Sequence, residues 1–239
     1  MKYLELTFAA PEQNLACDEA LLLGCEERDE DEVLRLWEPR EHFAVLGNSG
    51  KIDSEILRRA CRLRRVPVLR RVSGGGTVLQ GPGCLNYALV LKIADRAALR
   101  DVRATNAFVM ERLKLALEPV VESPIVVRGF TDLIFGTRKF SGNAQYRKRR
   151  ALLFHGSFLL SFDIALIGKL LPFPPKQPAY RRKRTHEEFL INLNLPAATI
   201  KAALKKSWGA CEELNNVPFD AIERLVRDRY SRDDWNFRS

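Results

Sequence analysis

Arg70-Arg71-Val72-Ser73-Gly74-Gly75-Gly76-Thr77-Val78 is the stretch on which the reading of the chain turns. It leaves a strand-like run, Val66 to Val72, and breaks into three consecutive glycines. Glycine has no Cβ, so it takes φ > 0 without steric cost and lets a ligand come close to the backbone. Beside the Arg70 and Arg71 guanidiniums, such a turn can face an anion with N–H groups and fixed positive charge. The same residues would also make a plain hairpin turn. They make neither common nucleotide loop. Gly76 and Gly81 have the P-loop spacing, but Pro82 stands where that loop needs lysine. Gly74 and Gly76 open a G-x-G-x-x-G pattern that fails at Leu79.

Upstream, residues 3–8 read as a strand, and Pro11 to about Glu27 as a helix with Leu15, Ala16, Ala20, Leu22 and Leu23 at helical spacing. Val33–Trp37 and Phe43–Leu46 read as strands around a turn at Pro39. Asp53 is placed to cap a helix through about Arg64 that buries Ile56, Leu57, Ala60 and Cys61. Downstream comes a long apolar strand, Leu85 to Ile93. An Asp101-capped helix follows to about Glu118, with Val102, Phe108, Val109, Leu113 and Ala116 inward. Residues 124–161 are strand-rich: 125–127, 132–135, 138–146 and 151–161, joined by hairpin-like turns. A helix near Asp163 to Leu171 leads into a proline-rich connector, Leu171 to Pro178. Thr185 and Glu188 form a capping box for a helix to about Leu193, and Pro196 and Pro218 suit the first turns of two closing helices. Hairpins interspersed with helices predict an α/β (α+β) fold with a mixed, largely antiparallel sheet flanked by helices.

The 239 residues, 46% hydrophobic and 29% charged, suit one domain, with a core over about 1–195 and helices over about 196–239. No run of 18 apolar residues and no signal-like N-terminus is present, so a cytoplasmic protein without a membrane segment is expected. Five scattered cysteines lack C-x-x-C spacing and read as reduced thiols. The net charge of +9 clusters at Arg58 to Arg71, Arg147 to Arg150 and Arg181 to Arg184, which predicts an anionic partner.

A second motif follows Asp132-Leu133-Ile134: Arg138-Lys139-Phe140-Ser141-Gly142-Asn143-Ala144, then Phe154-His155-Gly156-Ser157. From the residues alone, Lys139 is either an exposed edge-strand lysine or an ammonium held in a cleft. Together the two motifs resemble the lipoate–protein ligase branch of the biotin/lipoate ligase family. The matching pieces are Arg71-x-Ser73-Gly74-Gly75-Gly76-x-Val78, Gly83 with Leu85-Asn86-Tyr87, Asp132-Leu133, Arg138-Lys139-x-Ser141-Gly142-x-Ala144 and His155-Gly156-Ser157. Smaller matches are Asn14-x-x-x-Asp18-Glu19 and Leu36-Trp37 leading to Gly47.

The resemblance implies a sheet like that of biotin ligases and class II aminoacyl-tRNA synthetases. It also implies a reaction: lipoate and ATP, with Mg2+, give lipoyl-adenylate, and the acyl group passes to a lysine of an acidic lipoyl carrier domain. Under it, the glycine loop with Arg71 holds the carboxylate and phosphate, Val78 and Leu79 line the acyl slot, and Lys139 binds the α-phosphate. Asp132 acts near adenine, the magnesium ion or the incoming amine, and Asn86 and His155 support the pocket. His155 reads equally as a satisfied buried histidine.

Many lipoate ligases carry a further C-terminal domain of about 100 residues. None is expected here, so a separately encoded accessory subunit is a candidate partner. The rival activity is an octanoyl or lipoyl transferase with a cysteine nucleophile and no ATP. It is disfavoured because no cysteine falls between Asp132 and Ser207. Biotin ligase lacks its lysine-tryptophan segment here, and nucleic-acid binding leaves the Lys139 and His155 motifs without a use, so no nucleic-acid partner is expected.

Overall fold

In the computed structural model, which describes residues 1–94 and 96–238, the apolar runs become strands. In chain order these are β1 (Lys2–Glu5), β2 (Val33–Trp37), β3 (Phe43–Leu46), β4 (Val68–Arg70), β5 (Val78–Gln80) and β6 (Cys84–Lys92). They continue with β7 (Ile125–Arg128), β8 (Asp132–Phe135), β9 (Arg138–Arg147), β10 (Ala151–Leu159) and β11 (Glu212–Glu213). The helices are α1 (Pro11–Arg28), α2 (Ile52–Glu55), α3 (Arg58–Leu63), α4 (Val102–Val121), α5 (Ile164–Leu170), α6 (His186–Phe189), α7 (Ala197–Trp208), α8 (Phe219–Leu225) and α9 (Asp233–Asn236).

The large sheet has the order β11-β1-β2-β6-β10-β9-β8-β7, and β4-β3-β5 form a small second sheet. In the large sheet β1 runs parallel to β2 and β11, and every other pairing is antiparallel. Parallel β1 and β2 need a crossover, which α1 supplies. The mixed, largely antiparallel sheet expected from the sequence is therefore present.

β6 reads as one continuous apolar run because both of its faces are covered. Leu85, Tyr87, Leu89 and Leu91 pack with Leu113, Leu117, Ile200 and Leu204 of α4 and α7. Ala88 and Val90 point the other way, into a core with Leu15, Cys17 and Leu22 of α1 and Ile222 of α8. Each fully buried side chain of this size contributes about 1.5–3 kcal/mol. A third cluster joins the small sheet to α2, α3 and α5 through Ala44, Ile56, Cys61, Leu79 and Leu170.

Several expectations need correction. The helix from Asp53 to Arg64 is two short helices, because Ile56 is extended (φ −132°, ψ 131°) and the Leu57 N–H donates to the Leu170 carbonyl. Asp53 therefore lies inside α2 and makes no side-chain cap, and Leu57 is 39% exposed. The strands expected over 3–8 and 66–72 are shorter, at Lys2–Glu5 and Val68–Arg70. Asp101 does cap α4, accepting from the Ala104 N–H at 2.8 Å, but Val102 faces solvent. The capping box at Thr185 and Glu188 is present, yet α6 ends at Phe189, where Leu190 turns to bridge Lys139 of β9.

The closing segment holds more than two helices. α8 runs into a π turn at Val226–Tyr230, α9 follows, and β11 extends the large sheet. Ser239 lies outside the described residues. Among the described residues no helix is long and apolar enough to cross a membrane.

Candidate functional site

A cleft of about 820 Å³ is walled by the glycine loop, β6, β9, β10 and residues 174–181. The loop is a crossover, not a hairpin turn: β4 pairs with one side of β3 in parallel and β5 with the other side antiparallel. Its bend needs φ of +93° at Gly75, a conformation open to glycine. A Cβ on Gly74 or Gly76 would meet nothing within 4 Å, so that side of the loop stands open.

The two arginines act as scaffold. Arg71, nine-tenths buried, donates to the carbonyls of Val45, Gly74 and Gly76 and to Ser73 Oγ. Burial pulls its pKa down to about 10, which leaves it cationic at neutral pH. Arg70 likewise holds the carbonyls of Gly47, Asn48 and Gly50, and those of Trp235 and Arg238 near the C-terminus. Arg71 also lines the cleft, where the sequence expects it to hold the carboxylate and phosphate together with the glycine loop. Three carbonyls and Ser73 Oγ take four of its five N–H donors, so it braces the loop while keeping one Nη1 hydrogen for the cleft.

Ser73 is fully buried behind the loop, and its Oγ lies 2.6 Å from His155 Nε2. His155 Nδ1 faces Asp18 Oδ2 at 3.6 Å, and Asp18 Oδ1 accepts from Arg35 Nη1 at 2.5 Å. Arg35 is fully buried and also donates to the Asn14 and Leu6 carbonyls and to Asn14 Oδ1. A polar chain therefore runs from β2 through α1 and β10 to the glycine loop. Asp18 appeared in the sequence only as a minor match, and Arg35 not at all. A charged residue in the apolar strand Val-Leu-Arg-Leu-Trp was the available signal, since a buried charge needs a partner.

On the facing wall, Lys139 Nζ lies 2.6 Å from Asp132 Oδ1, and the Tyr180 hydroxyl donates to Asp132 Oδ2 at 2.6 Å. Burial and the Asp132 charge push the Tyr180 pKa upward. A β-bulge makes the Lys139–Asp132 pair possible. Asp132 opposes Gly142 and Leu133 opposes Ser141, but Ile134 opposes Lys139, so Phe140 is an extra residue in β9. A strand alternates faces, so one inserted residue turns Lys139 to the face of Asp132 while Phe140 stays in the core. Gly142 completes the fit, because a Cβ there would fall 2.7 Å from Lys139 Nζ.

The remaining expected residues also gather here. Val78, Leu79, Asn86 and Ala144 line the cleft, as do Gly75, Gly76 and His155, whereas Gly74 lies just outside the lining. Asn86, Gln80 and Ser157 close a ring of hydrogen bonds of 2.6–3.0 Å, so this polar patch is internally satisfied. Tyr180, Gln80 and Ser157 were not expected as lining. Tyr180 sits beyond a proline-rich connector, where periodicity gives no direction.

For a divalent cation, no group of three His, Cys, Asp or Glu side chains is assembled among the described residues. Asp132 is a cleft carboxylate beside a cation, while Asp18 is engaged by Arg35. One carboxylate suits Mg2+ only when phosphate oxygens complete its shell.

Cys84 is the cysteine that lines the cleft, and burial raises its thiol to about 12. Cys17, Cys25 and Cys61 are also buried, and the exposed Cys211 is not part of the cleft wall.

Comparison with known proteins agrees with the fold and the motifs. The chain is 28% identical to the octanoyltransferase LipM of Oceanobacillus iheyensis, over 98% of this chain and 93% of that protein. It is 24% identical to lipoate–protein ligase 1 of Staphylococcus aureus, over 95% of this chain and 70% of that one. Its fold matches the bi-partite lipoate protein ligase solved with its E2 lipoyl domain from Thermoplasma acidophilum. That match has a TM-score of 0.83 at 18% identity, over 99% of this chain and 95% of the other. It also matches a lipoate-protein ligase A bound with ATP, at a TM-score of 0.81 and 20% identity, over 99% and 98%. The lipoyl protein ligase A/B catalytic-domain model matches residues 10–206, and the chain belongs to that family.

Proposed function

We propose that this enzyme is a lipoate–protein ligase that activates lipoate with ATP and transfers it to a lysine of a lipoyl carrier domain. The supporting observation is the presence in one cleft of an ammonium, Lys139, beside Asp132, and of a thiol, Cys84, that is held protonated. With its pKa near 12, Cys84 is thiolate in only about one molecule in 10⁵ at pH 7. A ligase uses the ammonium and has no need of the thiolate.

In the first step a lipoate carboxylate oxygen bonds to the α-phosphorus, and the bond to the bridging oxygen breaks, its electron pair leaving with pyrophosphate. Lys139 neutralises charge that grows on the α-phosphate oxygens. The glycine loop, fixed by Arg71 and Ser73, sets the position of the carboxylate. Bound Mg2+, held by Asp132 and the phosphates, would supply charge neutralisation. In the second step the carrier amine attacks the acyl carbonyl, AMP leaves, and the amine gives up a proton, for which Asp132 is the nearby carboxylate.

The identity to octanoyltransferase LipM over 98% of the chain favours a second reading: acyl transfer between carriers without ATP. Replacement of all five cysteines separates the two. Mass spectrometry of a carrier domain incubated with enzyme, ATP and lipoate should show the lipoyl adduct at the wild-type rate. Loss of modification with the fold intact would favour the transferase.

A further inference from the structure

Arg181 is 5% exposed, lines the cleft, and its Nη2 has no hydrogen-bond partner. Its guanidinium lies between the rings of Phe173 and Phe189, at 4.9 and 4.8 Å from their centroids. Its Nε donates to the Arg184 carbonyl at 3.0 Å, which fixes the plane of the fork. Beside it, His186 Nε2 is also buried without a partner. The rings and the carbonyl offset part of the cost of burying this cation, and the unpartnered Nη2 leaves the rest. The backbone adds to that cost, since Arg182 and Lys183 both sit in the left-handed region at φ of 53° and 57°. Backbone strain beside a buried guanidinium with no carboxylate partner among the described residues marks a ligand clamp that an anion would complete.

We propose that Arg181 binds the distal phosphates of the nucleotide and holds the pyrophosphate as it leaves. This assignment rests on the ligase reading above. Burial rules out a carboxylate on the surface of a docking carrier, so the anion enters the cleft. The charge count favours a multiply charged one. Arg128, Lys176 and Arg181 line the cleft and have no carboxylate within ion-pair distance among the described residues. Lys139 is there as well, already beside Asp132. Arg128 and Lys176 are exposed and solvated, but with Arg181 they give the cleft a positive field that favours a triphosphate over a single carboxylate. A planar guanidinium packed against two rings presents donors suited to phosphate oxygens.

The test uses inorganic pyrophosphate as probe, titrated calorimetrically into wild type and Arg181→Gln. Wild type should bind, and the variant should bind at least about ten-fold more weakly. The KM for ATP in adenylate formation should rise with it. Transfer from pre-made lipoyl-adenylate, which carries no pyrophosphate, should keep its wild-type rate. Equal pyrophosphate affinity in the two proteins would overturn the proposal. So would an equal loss in adenylate formation and in transfer from pre-made adenylate, since Arg181 would then serve the fold or the acyl group. If Arg181→Gln does not fold, Arg181→Lys keeps a cation between the rings but loses the fork, and the same pattern is expected of it. Arg181-dependent pyrophosphate binding in an enzyme that forms no adenylate would uphold the subsite and count against the ligase reading alone.

Discussion

Lys139 and Asp132 lie 2.6 Å apart on neighbouring strands because one extra residue, Phe140, turns Lys139 over to the face that Asp132 occupies. The cleft's chemistry thus depends on a defect in the β8–β9 ladder. Replacing Lys139 by Ala should lower adenylate formation by about a hundred- to a thousand-fold. The far-UV spectrum should stay close to wild type, because the pair borders the open cleft and Asp132 keeps the Tyr180 hydroxyl as donor. Full activity in this variant would remove Lys139 from the mechanism.

Gly142→Ala tests the fit of that lysine. The new Cβ falls 2.7 Å from Lys139 Nζ and 2.9 Å from Cε, the mobile end of a flexible side chain. The ammonium shifts at little cost to folding. Misplacement of a reacting group by about 1 Å can cost about a hundred-fold. A fall of about ten- to a hundred-fold in kcat, with stability within a few tenths of a kcal/mol, is the expected result in steady-state assays and urea unfolding.

Asp18 should behave as a structural partner. Asp18→Ala leaves Arg35 buried with one carboxylate fewer, and loss of a partner from a buried ion pair costs about 3–5 kcal/mol. Asp18→Asn keeps an acceptor for Arg35 Nη1 and should cost less. Chemical denaturation of both variants gives the ordering. Equal stability of Asp18→Ala and wild type would mean that Asn14 and the Leu6 carbonyl suffice to hold Arg35.

Thiol chemistry follows from burial. Cys84 is raised to about 12 and Cys17 to about 11, so both stay protonated at pH 8 and form thiolate only as pH climbs towards those values. Iodoacetamide at pH 8 should modify the exposed Cys211 in the folded enzyme and spare Cys84, as read by peptide mass spectrometry. Rapid alkylation of Cys84 with loss of activity would support a thioester mechanism instead.

Elements with long periodic patterns were legible in the sequence. α1, β6 and β10 stand where their apolar spacing placed them, and the Thr185–Glu188 capping box formed as written. The glycine loop and Lys139 met in one cleft because two motifs far apart in sequence both faced it. What was hidden is tertiary. Nothing local to Ile56 announced the break between α2 and α3, which depends on the Leu170 carbonyl. The Phe140 bulge is a property of register, visible only once β8 and β9 are paired. The bracing of the loop by Arg71, through the Gly74 and Gly76 carbonyls, is likewise visible only once the loop is folded. Tyr180 and Arg181 followed a proline-rich connector, and their burial comes from packing against Asp132, Phe173 and Phe189.

The most direct measurement is pyrophosphate release from ATP and lipoate by the purified chain, with and without a lipoyl carrier domain. An ATP-dependent ligase releases pyrophosphate with lipoate alone and forms one amide-linked lipoyl group when the carrier is added. Acylation of the carrier from an octanoylated donor protein, with no pyrophosphate released under either condition, would contradict it.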